Sequence, residues 1–165
     1  RVHPAFIRQD HPLASVNDSF NAVYLQGDSV GDIMLYGRGA GDMPTGSAIV
    51  SDVIYAATHS DVKYATFKNT EHADKNVRFV TDFKSRYYIR LTVQDRVGIL
   101  AKVAGVLSKY NISISDFLQK AEGVENIPII LITHVTSELS VRRAVEKIAA
   151  LEDVLEVNSV IRVEG

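Results

Sequence analysis

The sequence predicts a protein of the mixed α/β class (α+β) in two parts: a β-hairpin with one helix, then a β-α-β-β-α-β arrangement. Two observations support this prediction. From Tyr87 onward, stretches with period-two hydrophobicity are interleaved with stretches of helical periodicity. Before that, two alternating stretches flank a turn at Gly27–Ser29, and a helical stretch follows them. A polar segment separates the two parts, and we expect the domain boundary within it.

Composition excludes several classes of protein. The 165 residues include 18 lysines and arginines and 20 aspartates and glutamates, and this balance argues against binding nucleic acid or a membrane surface through bulk charge. There is no cysteine, which excludes disulfides and thiol chemistry and favours a reducing, cytoplasmic location. No apolar run approaches the roughly 20 residues that span a bilayer. Because the chain begins at Arg1, we expect it to be a piece of a longer protein.

The first part is expected to contain a β-hairpin. Alternating residues predict strands over Phe20–Gln26 and Val30–Tyr36, joined by the Gly27–Ser29 turn. Both faces of these strands carry apolar residues. We therefore expect other structure to cover each face, including structure that this chain does not supply.

A glycine-rich turn at Gly39, Ala40 and Gly41 connects the hairpin to a helix. The helix is predicted from about Gly46 to about Thr58, with Thr45 as its N-cap. A strand, a glycine turn and a helix N-terminus let the backbone approach a phosphate or a nicotinamide closely. The spacing differs from the G-x-G-x-x-G fingerprint, however, and no strand–helix–strand unit follows. A connection that only has to turn is therefore the alternative.

The segment 60–86 is polar, mixed in charge and without a sustained period. It is predicted to be a connector that packs loosely over a surface. We place the domain boundary near its end, so that residues 1–84 form the first part with its connector and residues 85–165 form the second.

The second part has a regular succession of elements. Strands are predicted over about Tyr87–Val93, Ile112–Lys120, Ile127–His134 and Leu155–Val163. One helix is predicted over about Gly98–Tyr110, followed by a left-handed Asn111, and a second helix is capped by Ser137 or Ser140. A turn is predicted at Glu122–Asn126. This order is the ferredoxin-like arrangement, with two helices on one face of a four-stranded antiparallel sheet.

The strand Ile127–Ile132 is apolar on both faces. The two helices of a two-layer domain cover only one face of its sheet, so a partner or the rest of the chain must cover the other. This favours a homo-oligomer, at least a dimer. The same order of elements also builds the RNA-recognition fold, but isoleucines and a proline stand here in place of its base-stacking aromatic residues.

The turn after the first strand of this part is a candidate ligand site. It consists of Asp95, Arg96, Val97, Gly98, Ile99 and Leu100. Its glycine leaves backbone N–H groups at a helix start for a carboxylate, and its acidic group can take an amino group. The alternative is a plain strand–helix turn in which Arg96 is a solvated charge.

The sequence shows neither a catalytic set nor a metal site. No pair among the five histidines has metal-ligand spacing on one helix face. No serine lies in a Gly-x-Ser-x-Gly elbow, and no nucleophile, base and orienting group can be assembled.

Specific motifs resemble two known families. The second part resembles the regulatory ACT domain in Tyr88–Leu91, Asp95–Leu100, Tyr110–Ile114 and Ile132–His134. The first part resembles the C-terminal part of the catalytic region of homoserine dehydrogenases in His11–Asn17, Asn21–Val23, Tyr36–Gly41, Pro44–Thr45 and Ser51–Ile54. Together the two resemblances cover essentially the whole chain, in the order found in many bacterial enzymes of that family. Val97 stands where many ACT domains have proline.

The resemblance implies an oxidoreductase that interconverts homoserine and aspartate semialdehyde with NADP or NAD, on the pathway to threonine, methionine and isoleucine. It implies that the main dinucleotide-binding domain and the catalytic residues precede Arg1, and that Gly39, Ala40 and Gly41 lie near the cofactor. For the ACT part it implies an amino-acid effector, usually threonine, at Asp95–Leu100, with Asn111 completing the pocket across an interface. The alternative is a non-catalytic, amino-acid-binding regulatory protein.

Overall fold

A computed structural model of the chain describes residues 1–59, 79–119 and 126–164. The chain folds as two compact units. The hairpin unit is Gln9–Arg78, and the sheet unit is Arg1–Arg8 together with Phe79–Gly165. Most of the predicted connector and most of the predicted turn at Glu122–Asn126 lie outside the described residues. No helix in the described ranges is both long enough and apolar enough to cross a membrane.

The described elements follow the predicted order with small shifts in their ends. They are β1 (Ala5–Ile7), a 3-10 turn (Pro12–Ser15), β2 (Phe20–Gly27), β3 (Gly31–Arg38), α1 (Asp42–Thr58), β4 (Lys84–Gln94), α2 (Ile99–Lys109), β5 (Ile114–Gln119), β6 (Asn126–Thr133), β7 (Thr136–Ser137), α3 (Glu138–Ala149) and β8 (Val154–Glu164). The mixed α/β class is therefore confirmed.

Strands β2 and β3 form the predicted antiparallel hairpin. The ring of Phe20 stacks on that of Tyr36, with centroids 4.8 Å apart. No residue of β3 is buried, and Leu35 is 61% exposed. The apolar faces of the hairpin are thus open among the described residues, as expected of strands that need cover from elsewhere.

Helix α1 begins at Asp42, earlier than the predicted Gly46, and its N-cap is Gly41 with a φ of 119°. The prediction of Thr45 as N-cap is therefore wrong. Pro44 fits within the first turn, where its missing N–H removes no helical hydrogen bond. Thr45 lies inside the helix, and its hydroxyl donates to the carbonyl oxygen of Gly41 at 2.6 Å.

The sheet unit contains the ferredoxin-like arrangement. Its strands lie in the order β1-β8-β4-β6-β5, and β4, β5, β6 and β8 pair antiparallel. The core forms between the sheet and helices α2 and α3, because every second residue of β4 and β6 points inward. Its buried apolar residues are Tyr87, Ile89, Leu91, Val93, Ile99, Val103, Leu107, Ile112, Ile127, Ile129, Leu131, Val141, Ala144, Ile148 and Val154.

Helix α3 is capped by Ser137, one of the two predicted caps. The Ser137 hydroxyl accepts from the N–H of Ser140 at 3.2 Å and donates to the Asp82 carboxylate at 2.8 Å. Asp82 also accepts from the N–H of Leu139 at 3.1 Å, and this bond is the main cause of its lowered pKa. The side chains of Ser137 and Asp82 thus accept hydrogen bonds from backbone N–H groups in the first turn of α3, which have no partner within the helix.

Strand β1 was not predicted. It pairs in parallel with β8, with Ala5, Phe6 and Ile7 opposite Arg162, Val163 and Glu164. The Phe6 ring also lies edge-on to the ring of Tyr88, with centroids 5.0 Å apart. Residues from the start of the chain therefore complete the sheet of its second half.

The face of the sheet away from α2 and α3 is apolar. Pro128, Ile130 and Ile132 on β6 are half-buried there, while their neighbours Ile129 and Leu131 are in the core. Arg90, Leu118, Pro128 and Ile130 line a depression of about 260 Å³ on this face. We refer to it below as the outer face.

Candidate functional site

The loop between β4 and α2, Asp95–Gly98, turns tightly into the start of a helix. Gly98 is the N-cap of α2 and has a φ of 91°, in the left-handed region that side chains disfavour. The N–H of Ile99 donates to the carbonyl of Arg96 at 3.2 Å, so the chain turns tightly. Gly98 offers no side-chain acceptor to the first turn of α2, where N–H groups have no intrahelical partner.

The predicted site residues differ in their exposure to solvent. Asp95, Arg96, Val97 and Gly98 are exposed, and Leu100 is 37% exposed. The Ile99 side chain is instead buried in the core, and its backbone N–H is engaged by the Arg96 carbonyl.

Asn111 adopts the predicted left-handed conformation, with a φ of 56°. It follows the far end of α2, and the 11 residues of that helix span about 16 Å. The structure therefore does not bring Asn111 together with Gly98 in one chain. Asn111 can complete this site only from a second copy of the chain.

Asp153 is a buried partner of the loop that the sequence did not reveal. Its side chain is 3% exposed and binds the Lys102 ammonium as well as the Arg96 guanidinium, which lies 3.1 Å away. Its backbone carbonyl accepts from the N–H of Gln94 at 2.9 Å. In the sequence, Asp153 looks like any polar turn residue before a strand.

These contacts give the loop a defined electrostatic character. The hydrogen bond from Lys102, followed by the positive charges of Lys102 and Arg96, lowers the pKa of Asp153. Two cations and the start of a helix surround one buried carboxylate, a setting that favours a further anion in front of the loop. The arrangement suits recognition of a small carboxylate and contains no nucleophile–base pair.

The glycine turn of the hairpin unit has a local structural cause. A Cβ atom at Gly39 would lie 1.8 Å from the amide nitrogen of Asn21, so a side chain there would overlap it. The N–H groups of Gly39 and Ala40 donate to the carbonyl of Ser19 at 3.2 and 3.4 Å. Gly39, Ala40 and Gly41 are all exposed. The exposed turn can therefore approach a cofactor or another part of the protein closely. The overlap with Asn21 is by itself a sufficient reason for glycine at position 39.

Within the described ranges, no three acidic or histidine side chains come together as a possible metal site.

Comparison with known families divides the chain in two. Residues 1–54 match the homoserine dehydrogenase family, and residues 87–153 match the ACT domain family. The loop Asp95–Gly98, the cations Arg96 and Lys102, and Asp153 all fall within the second match.

Individual relatives match the chain over nearly its whole length. A homoserine dehydrogenase of Corynebacterium glutamicum is 37% identical over 99% of this chain and 37% of its own length, and that of Bacillus subtilis is 35% identical over 99% and 39%. The crystal structure of a homoserine dehydrogenase from Thiobacillus denitrificans matches with a TM-score of 0.79 and 38% identity, over 99% of this chain and 38% of that one. The chain thus spans under two fifths of these relatives.

Proposed function

We propose that the chain is the C-terminal portion of a feedback-regulated homoserine dehydrogenase, because residues 1–54 match the homoserine dehydrogenase family and residues 87–153 match the ACT domain family. The full enzyme would interconvert L-homoserine and L-aspartate 4-semialdehyde, in the biosynthesis of threonine, methionine and isoleucine. Its cofactor is NADP or NAD. We assign its location to the cytoplasm.

We assign most of the cofactor site and the catalytic residues to the part of the enzyme outside this chain. The open apolar surface of the hairpin unit supports this assignment. Met43 is 79% exposed, and Ile49 and Val53 on α1 are 59% and 63% exposed. Apolar surface of this kind normally packs against other structure. The turn Gly39–Gly41 would then lie beside the cofactor.

The observation that carries the regulatory half of the proposal is the left-handed Gly98 at the start of α2. The N–H groups there would receive the carboxylate of an amino-acid effector, threonine in the first instance. The Asp95 carboxylate or nearby carbonyls would receive its ammonium group. A non-catalytic protein with an ACT domain would have the same loop. This observation therefore supports amino-acid binding, and the proposal of dehydrogenase activity rests on the first half of the chain.

We further propose that the sheet unit pairs with a second copy through its outer face. Pro128, Ile130 and Ile132 present apolar surface there, and Leu118 on β5 is 48% exposed.

The test is the initial rate of homoserine-dependent reduction of NADP and of NAD by the full-length protein, with and without threonine. We expect turnover that falls as threonine rises. Turnover that threonine and related amino acids leave unchanged would contradict the regulatory assignment. Amino-acid binding without any turnover would favour the alternative, a non-catalytic sensor.

A further inference from the structure

Strand β8 is fixed to the candidate effector loop at its first end. It begins at Val154, directly after Asp153. The Asp153 side chain binds Arg96 in the loop and Lys102 in the first turn of α2. The Asp153 carbonyl also binds the N–H of Gln94 at the end of β4. The loop and the start of β8 are therefore joined by both side-chain and backbone contacts.

A charge cluster fixes the other end of β8. The Arg162 guanidinium binds both oxygens of Glu138 in a bidentate pair, at 2.8 and 2.9 Å. The Tyr87 hydroxyl donates to the same carboxylate at 2.5 Å, and burial followed by this bond raises the pKa of Tyr87. The side chains of Arg162 and Glu138 are 21% and 16% exposed, so the pair is held in one geometry with little access for water.

Both chain connections to the hairpin unit are anchored at this same end. Strand β1 pairs with Arg162–Glu164 and ends at Ile7, and the hairpin unit begins at Gln9. On the other connection, the Phe83 ring lies under the guanidinium groups of Arg1 and Arg162, at 3.7 and 5.1 Å. The Phe83 carbonyl also accepts from the N–H of Glu138 at 2.9 Å.

We propose that β8 transmits the state of the effector loop to the catalytic part of the enzyme, with Phe83 and Arg162 as the positioning residues that hold both connections. The inference rests on the proposed function. Strand β8 is hydrogen-bonded to β4 along its length and to β1 at its last residues, so it moves with both connections. Its pairing with β4 shifts register between Arg90 and Leu91 and between Thr92 and Val93. Such irregularities bend a strand and are places where its pairing can change.

The experiment compares Phe83→Leu with the parent in the full-length enzyme. Leucine keeps an apolar side chain and removes the ring that both guanidinium groups contact. We expect threonine binding, measured by calorimetry, to stay within about threefold, while the coupling between the two sites, read from the fraction of activity left at saturating threonine, falls at least about tenfold. The values of kcat and KM for homoserine without threonine should match those of the parent.

A second variant and a control complete the design. The double variant Glu138→Gln with Arg162→Met removes both charges together, so neither is left buried and unpaired, and it should uncouple binding from inhibition in the same way. Phe79→Leu in the same segment is the control, because Phe79 is 86% exposed, and it should leave inhibition intact.

Two results would overturn the inference alone: inhibition of Phe83→Leu by saturating threonine to the same extent as the parent, or loss of inhibition matched by an equal loss of binding. A parent enzyme that neither binds threonine nor responds to it would overturn the regulatory assignment and the inference with it.

Discussion

The side-chain hydroxyl of Thr133 accepts a hydrogen bond from the backbone N–H of Tyr87 over 3.0 Å. The backbone register between β4 and β6 ends one pair earlier, at Tyr88 and Ile132. Thr133 is fully buried and Tyr87 is 2% exposed, so water cannot replace this acceptor. The Thr133 side chain thus extends the sheet's hydrogen bonding by one residue.

Thr133→Val should therefore lower the free energy of unfolding of the sheet unit by about 1–3 kcal/mol, because it leaves a buried N–H without an acceptor in a side chain of nearly the same shape. Urea titration of the chain followed by circular dichroism measures this change. Thr92→Val is the matched control, since the Thr92 hydroxyl bonds Asn158 on the surface, and its effect should be about 0.5 kcal/mol or less. Equal effects of the two substitutions would show that the Thr133 hydroxyl is dispensable.

The lowered pKa of Asp153 predicts how the stability of the folded protein changes with pH. Its pKa is lower in the folded protein than in the unfolded chain, so its contribution to stability is present above the ordinary carboxyl pKa of about 4 and is lost as pH falls through the folded value. Asp153→Asn should lower the melting temperature at pH 7. The gap between parent and variant should narrow as pH falls below about 4, because the unfolded chain then binds a proton at this carboxyl while the folded protein still holds it charged.

The matched control is Asp28→Asn, because Asp28 lies in the exposed hairpin turn, where its carboxylate accepts from the Ser29 hydroxyl at 3.2 Å. It should shift the melting temperature little at either pH. A gap for Asp153→Asn that stays constant from pH 7 to pH 3 would contradict the ion-pair interpretation.

Gly98→Val in the full-length enzyme should abolish threonine inhibition. The backbone φ of 91° is strained for any β-branched residue, and the added side chain would stand where the ligand carboxylate is expected. Turnover without threonine should stay near that of the parent. Initial rates against threonine concentration measure both effects.

Gly105→Val is its control. Gly105 lies in the same helix at an exposed position, and an added Cβ there meets nothing within 4 Å. If Gly98→Val is inhibited as strongly as Gly105→Val, threonine binds elsewhere.

The outer face predicts self-association of the chain. Sedimentation of residues 1–165 should show at least a dimer, and Ile130→Lys should shift it toward the monomer by placing a charge beside Arg90 in the apolar depression. Val135→Lys, at a position that is 63% exposed between β6 and β7, should leave the dimer intact. A parent that stays monomeric at high micromolar concentration would rule this interface out.

The chain alone should lack dehydrogenase activity. The described residues contain no complete catalytic set, and the proposed nucleotide-binding part lies outside the chain. Homoserine-dependent NADP reduction by the purified chain, above a control without protein, would refute this prediction. Addition of the missing part as a separate protein provides the positive control.

The arrangement of the sheet unit was predictable because its signals are local and repeated. Each strand and helix carries its own hydrophobic period, and the left-handed conformation of Asn111 follows from its residue type and its place after a helix. The start of α1 was predicted wrongly because Thr45 satisfies the usual cap preference, whereas Gly41 caps this helix without any side-chain acceptor.

Features that depend on distant pairing were not predictable. Strand β1 has three residues, too few for a period, and its partner Arg162 lies at the other end of the chain. Asp153 and Arg96 are likewise far apart in sequence, and nothing around Asp153 marks it as a partner of the loop. The distance from Gly98 to Asn111 follows from the length of the helix between them. Contact between Gly98 of one copy and Asn111 of another depends instead on how the two copies associate.

The pairing of β1 with β8 also determines which fragments of this protein keep a complete sheet. A protein made from residues 79–165 would lack β1 and would leave the backbone groups of β8 unpaired opposite residues 5–7. An uncovered strand edge of this kind recruits strands from other molecules and promotes aggregation. In the intact chain, a three-residue strand preceded by Pro4 closes that edge, and proline cannot donate to a further strand. Residues 5–7 therefore cover the end of β8 and protect it from pairing with strands of other molecules.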